Sequence, residues 1–203
     1  MHRSHRLALA TASALALAHG PALAAEKCYD FAKLAADARW GVNTNQPIDI
    51  GEVRIRPLVI NGQPFEAANP DKQFLRVQDQ QIAGGQRPEL YGAQVAMQIV
   101  PRERVRTLRM KFAHQPGPDG KRPSFIEVNG EKHDFEGPFS KVNGRTMGQG
   151  TAWRAEAKAD LAPSGADSLW HAGTLAVRST QGGIEQVTIG AQFFRVDDVC
   201  IER

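Results

Sequence analysis

The stretch LYGAQVAMQIVPRERVRTLRMKF, Leu90 to Phe112, decides the fold class. From Val95 to Val100 and again from Val105 to Phe112, residues read as strands rather than as helix. In the second run Leu108, Met110 and Phe112 fall on one face, the period of two that a half-buried strand requires. Pro101 and the charged PRER run between them mark a connection.

The same style continues outward. Upstream, Val53-Arg54-Ile55-Arg56 alternates and runs on into Pro57 to Ile60, and Phe74 to Val77 is strand-like. Downstream, Phe125 to Val128 and Lys132 to Phe135 flank Asn129-Gly130, the strongest short hairpin signal, because a type I′ turn needs positive φ at both positions. Asn61-Gly62 gives a similar signal. Thr174 to Val177, a Gly182-Gly183 turn, Val187 to Ile189 and Phe193 to Ile201 complete the series. GPDGKRP, Gly117 to Pro123, reads as a long hairpin loop. Asp30 to Arg39 has helix-forming composition. Trp153 to Leu161 fits a helix or a strand, with Trp153, Ala155, Ala157 and Ala159 on one strand face. The expectation is an all-β chain forming a single antiparallel, jelly-roll-like β-sandwich.

Of the 203 residues, 41% are hydrophobic and 23% charged, which excludes collagen, coiled coil and wholesale disorder. Met1 to Ala24 reads as a secretory signal, with Arg3 and Arg6 before the short apolar run LALATASALALA. Gly20-Pro21 then precedes the small-x-small site Ala22-Leu23-Ala24. Residues 25–203 are the expected sandwich, exported to the periplasm or beyond the cell, with no membrane span. The formal charge of +3, less those two arginines, is +1. The basic run Arg102 to Lys111 is then one solvated strand face, and no nucleic-acid motif accompanies it.

The chain has two cysteines, Cys28 and Cys200. An even pair in an oxidising compartment is most simply a disulfide. It would make the terminal strands neighbours, with Cα atoms about 5–6 Å apart. Two buried free thiols are the second reading, and a catalytic cysteine the third.

Most of the mature chain has a resemblance that these stretches carry together. The tail GGIEQVTIGAQFFRVDDVCIE (Gly182 to Glu202) resembles the closing hairpin of bacterial secreted jelly-roll proteins of the galactose-binding-like type. CYDF (Cys28 to Phe31), Trp40-Gly41, Leu90 to Phe112 and Ile126 to Gly130 are similar to that family's other segments. Ala191 and Ala32 depart from its pattern. The resemblance implies a fold shared with many carbohydrate-binding modules. It also implies a structural calcium near the first and last strands, held by Asp30 with Asp197 or Asp198. The competing and favoured reading is that these acids end the strand with ordinary hydrogen bonds. Alternation puts Asp197 and Asp198 on opposite faces, so they do not read as an acid–base pair.

Trp40, Trp170 and Tyr91 are the candidate ligand platforms, since a flat ring stacks on the apolar face of a pyranose. Trp153 reads as core. Trp40 sits near Asn43, Asn45 and Asp49, while Trp170 follows the loop PSGADS, Pro163 to Ser168. His114, His133 and His171 show no zinc spacing and read as surface or hairpin residues. No nucleophile elbow is present, and nothing selects a carboxylate pair. The reading is an exported, non-catalytic binding module with a glycan as ligand. The alternatives are a structural or protein-interaction role at the envelope and, third, a secreted hydrolase.

Overall fold

Alternation of apolar and polar residues produces thirteen strands among the described residues, every pairing antiparallel. The structure, a computed structural model, describes residues 25–42, 44, 46–60, 72–85, 87–117, 119–164 and 169–203. The leader Met1 to Ala24, Asn43, Asn45, Asn61-Gly62 and residues 165–168 of the loop before Trp170 lie outside the described residues. The strands are β1 (Lys27–Tyr29), β2 (Arg39–Gly41), β3 (Ile48–Ile50), β4 (Val53–Leu58), β5 (Phe74–Gln78), β6 (Glu89–Pro101) and β7 (Thr107–His114). Then follow β8 (Pro123–Val128), β9 (Glu131–Glu136), β10 (Arg145–Met147), β11 (Arg154–Pro163), β12 (His171–Gln181) and β13 (Val187–Glu202). None of the described helices is long and apolar enough to cross a membrane.

Two long strands, β6 and β13, run through both layers of the sandwich. The first half of β13, Val187 to Ala191, lies between β8 and the second half of β6, which passes on to β4 and β3. The second half of β13, from Phe194, pairs with β7, which passes on to β12, β11 and β10. The first half of β6 takes β5 and then β2. The corner falls at Gln94, whose φ of 48° breaks β6 between Ala93 and Val95. A strand that switches layers at such a bend is the usual way to close a sandwich edge. A second irregularity sits at Asp198, φ 47°, where β13 shifts register against β7 between Asp197 and Cys200.

The inward rows from both layers form one core. Leu108, Met110 and Phe112 of β7 meet Ala155, Ala157 and Ala159 of β11 and Ile99 and Met97 of β6 in it. Trp153 to Leu161 is thus largely strand, with its alanines inward, and Trp153 packs against the core edge. The Asn129-Gly130 hairpin joins β8 to β9 with φ of 48° and 90°. Its Asn129 Oδ1 accepts hydrogen bonds from the Glu185 and Gln186 amides, which ties it to the chain entering β13.

Two local expectations are corrected. Gly117 to Pro123 is not a hairpin loop: β7 and β8 do not pair with each other, and the segment carries the chain from one layer to the other. Asp30 to Arg39 forms turns, not helix. Asp30 Oδ1 accepts the Ala32 amide at 3.0 Å, Asp37 takes a φ of 61°, and Arg39 already pairs with β5. These local side-chain and ladder bonds outcompete a short, marginal helix.

Cys28 and Cys200 are bonded across the β1–β13 ladder. Their Cα atoms are 3.9 Å apart, closer than expected, and the two residues are direct partners in the ladder. Arg109 straps this seam, donating through Nε and Nη2 to both carboxylate oxygens of Glu26 at 2.9 and 2.6 Å. That bond holds the Glu26 carboxyl below its usual range.

Candidate functional site

The site is built on the outward rows of the second layer, where strand register sets neighbours. One row reads Arg76, Tyr91, Arg195, Ala113, Ala172, Ala162 across β5, β6, β13, β7, β12 and β11. A neighbouring row places Phe74 beside Ala93 and Phe193. On the other side lie Gln78 and Glu89, then Asp197, Lys111, Thr174 and Asp160. Outward positions on a two-layer sandwich usually face water. Here Glu89, Arg195 and Asp197 are buried instead, at 0%, 5% and 0% exposure.

Two pieces of chain cover them. Residues 81–85 fold over Glu89 and Asp197: Ala83 donates its amide to Glu89 Oε1 at 2.6 Å, and a Cβ on Gly85 would collide with the Asp197 carboxylate. From the other side comes Trp170. The Arg195 guanidinium lies 4.9 Å from the Tyr91 ring centre and 5.0 Å from that of Trp170. Between Trp170 and Arg195 stands β7, which presents only the Ala113 methyl in that row. Two electron-rich faces around one cation recover part of the cost of its desolvation.

Arg195 Nη1 forms an ion pair with Glu89 Oε2 at 3.6 Å, outside hydrogen-bond reach. Arg195 Nε and Nη1 have no hydrogen-bond partner among the described residues. Burial pushes the Glu89 carboxyl above its usual range, against the pull of the Ile82 and Ala83 amides and of Arg195. Burial also draws the Arg195 guanidinium down, opposed by Glu89, and raises the Tyr91 phenol.

Around the clamp runs a series of rings and guanidinium groups. Arg39 lies 4.0 Å from the Phe74 ring centre, Phe74 6.2 Å from Tyr91, Tyr91 6.4 Å from Phe193 with planes 6° apart, and Arg122 5.3 Å from Phe193. Beside the clamp, a cleft of about 330 Å³ opens between Gln81–Gly84 and the paired ends of β11 and β12, with Lys111 in its lining.

The predicted platform residues therefore divide. Tyr91 and Trp170 share one site. Trp40 does not: it pairs with the inward Leu75, and its ring packs against the core.

A scan against protein-family models, a search of curated proteins and a search of solved structures each return no match. What the site can do is therefore argued from its own geometry.

Of the three acids expected near the terminal strands, two are engaged locally. Asp30 is exposed and occupied with the Ala32 amide, while Asp197 is buried beneath residues 81–85 and accepts the Asp198 amide at 2.8 Å. Asp30, Asp197 and Asp198 do not form a group of three within 4.8 Å of one another. Among the described residues the one such group of three is Glu26 with Cys28 and Cys200, whose sulfurs are bonded to each other.

The histidines also differ from expectation. His133 is half-buried on β9, but His114 is fully buried, opposite His171 in the β7–β12 ladder and against Phe112 and Phe139. Alternation alone puts His114 on the inward side with Phe112, a signal present in the sequence. Arg195 escapes a reading of the sequence because its local context, FFRVDDV, has the pattern of a solvent row.

Proposed function

We propose that this protein is an exported, non-catalytic glycan-binding module whose site is the outer face around Tyr91, Trp170, Phe193 and Phe74. The observation that carries the reading is the clamp of Tyr91 and Trp170 on Arg195. It fixes two half-exposed aromatic rings beside an open cleft, at little further entropic cost on binding. Rings held this way offer apolar faces to sugar C–H groups, and the guanidinium and amide groups near them offer donors to hydroxyls. Export is supported by the leader-like Met1 to Ala24 and by the disulfide, which persists in an oxidising compartment.

A hydrolase finds less support. Glu89 and Asp197 lie on the same strands as Tyr91 and Arg195, and both are closed off by residues 81–85. A general acid must reach the glycosidic oxygen.

The test is a glycan-array screen of the oxidised mature protein, alongside Tyr91→Ala and Trp170→Ala. Binding that both substitutions abolish is the expected result. The absence of any glycan ligand would remove the reading and leave a protein-interaction role.

A further inference from the structure

We infer that Cys28 Sγ is a thiol-exchange site, where a low-molecular-weight thiolate attacks and Cys200 leaves as a thiolate held by Arg109. The inference goes beyond the glycan-binding reading and does not depend on it.

Strand register builds the site. Cys28, Cys200 and Arg109 are successive partners across β1, β13 and β7. Arg109 stands between the inward Leu108 and Met110, so its side chain lies on the outer face. Glu26 precedes Cys28 by two residues and shares its face. The two sulfurs differ in access. Cys200 is only 1% exposed, and Arg109 Nη2 lies 3.6 Å from its Sγ. Cys28 is exposed. It also lines a cleft of about 340 Å³ with Tyr29, Asp30, Lys33 and Leu34, and Cys200 does not. Among the described residues β1 pairs with β13 alone, so no further strand lies against its other edge.

The exchange needs no oxidant. The incoming sulfur bonds to Cys28 Sγ, the Cys28–Cys200 bond breaks, and its electron pair stays on Cys200 Sγ. One disulfide replaces another, and the Cys200 thiolate reverses the step by expelling the small thiolate. A second thiolate attacking the mixed disulfide instead releases a small disulfide and the Cys28 thiolate, with two electrons passed from the thiols to the protein. Exchange quickens as the pKa of the leaving thiol falls, and a neighbouring cation lowers that pKa. The charges at the seam oppose one another. A Glu26 carboxylate oxygen lies within 4.8 Å of both sulfurs, and Asp198 also acts on Arg109. Arg109 answers Glu26 with two charge-assisted bonds, and its Nη2 reaches the sulfur as well.

The experiment exposes the folded, oxidised protein to millimolar glutathione at neutral pH. Samples are quenched in acid with N-ethylmaleimide, which caps the released thiol, and mapped by peptide mass spectrometry. Glutathione on Cys28 and maleimide on Cys200 are the expected result. Arg109→Gln should react about threefold more slowly, because the leaving thiolate loses its cation. Glu26→Gln removes the same strap but leaves Arg109 at the sulfur, so it should react at least as fast as the parent. Faster reaction in both variants would show that Arg109 only ties β1 down, and would overturn the inference. Glutathione on Cys200, or on neither sulfur, would overturn it too. So would a rate that saturates with thiol concentration and rises in sub-denaturing urea, since that marks reduction through unfolding.

Discussion

Cys28 and Cys200 are direct partners in the β1–β13 ladder, so one covalent bond fastens a three-residue strand to the sixteen-residue strand that both layers share. The bond closes a loop with a sequence separation of 172. In the chain-entropy model a crosslink of that length stabilises by about 5 kcal/mol, less any native strain. Reduction, or Cys28→Ser/Cys200→Ser, is expected to lower stability by about 2–5 kcal/mol. Urea titrations with and without reductant check this. Strand β1 is too short to hold by its ladder alone, so its amides should exchange first in the reduced protein. An unchanged urea midpoint would refute the assignment of this bond as the main terminal tie.

His114 gives the protein an acid-sensitive core. Burial, helped by His171, lowers its pKa from 6.5 to about 3, and the Gly137 and His171 backbone groups oppose the change only in part. In the unfolded chain it binds a proton below about pH 6.5. Between that value and about 3 the unfolded state therefore holds the extra proton, and stability rises with pH. The contribution is full above pH 6.5 and lost as pH falls toward 3; it is on the order of 5 kcal/mol. His114→Phe keeps an aromatic ring against Phe112 and Phe139 and cannot titrate. It should remain within about 1.5 kcal/mol of the parent at neutral pH and lose much of the acid slope. Matched denaturation curves from pH 7 to 3 decide the matter. Parallel slopes in the two proteins would show that other groups carry the acid response.

Glycine and phenylalanine face each other at two places on β13. Gly92 is the partner of Phe194, and Gly190 the partner of Phe125. A Cβ at Gly92 would fall inside the Phe194 ring, and one at Gly190 inside the Phe125 ring. The missing side chain is what lets each ring lie flat across the ladder near the corner at Gln94. Gly92→Ala should cost about 1–3 kcal/mol through overpacking. Phe194→Leu added to it should restore part of that loss, because the two positions couple. A double-mutant cycle with no coupling would contradict this account.

Much of this fold is written locally. Alternation at Leu108, Met110 and Phe112 marks an inward row, and Asn129-Gly130 marks a turn that needs positive φ. The disulfide is legible because two cysteines stand near the chain ends. The site is half legible: Tyr91 and Trp170 stand out as rings, but Arg195 does not. Its burial comes from Trp170 on the far side of β7, while residues 81–85 close over its ion-pair partner Glu89, and no local pattern encodes either. The turn of Asp30 to Arg39 resists a local reading for the same reason, since pairing of Arg39 with β5 is a non-local event. Sequence periodicity reports which face a residue occupies. It does not report what later segments lay over that face.

Trp40 and Trp170 test that distinction directly. Trp40 packs against the core, and truncating a buried aromatic costs several kcal/mol when the site cannot collapse. Trp40→Ala, only partly buried, should cost about 2 kcal/mol or more and lower the melting temperature by several degrees. Well below that temperature, its folded fraction should bind a glycan ligand as the parent does. Trp170 covers one face of Arg195, an interaction of about 0.5–2 kcal/mol. Trp170→Ala should therefore melt close to the parent while losing most of its affinity, because the second ring and the seam over Arg195 disappear together. Melting curves and titrations on the two variants, run side by side, check both halves. Loss of affinity in folded Trp40→Ala, with Trp170→Ala binding normally, would move the site to the β2 edge of the layer.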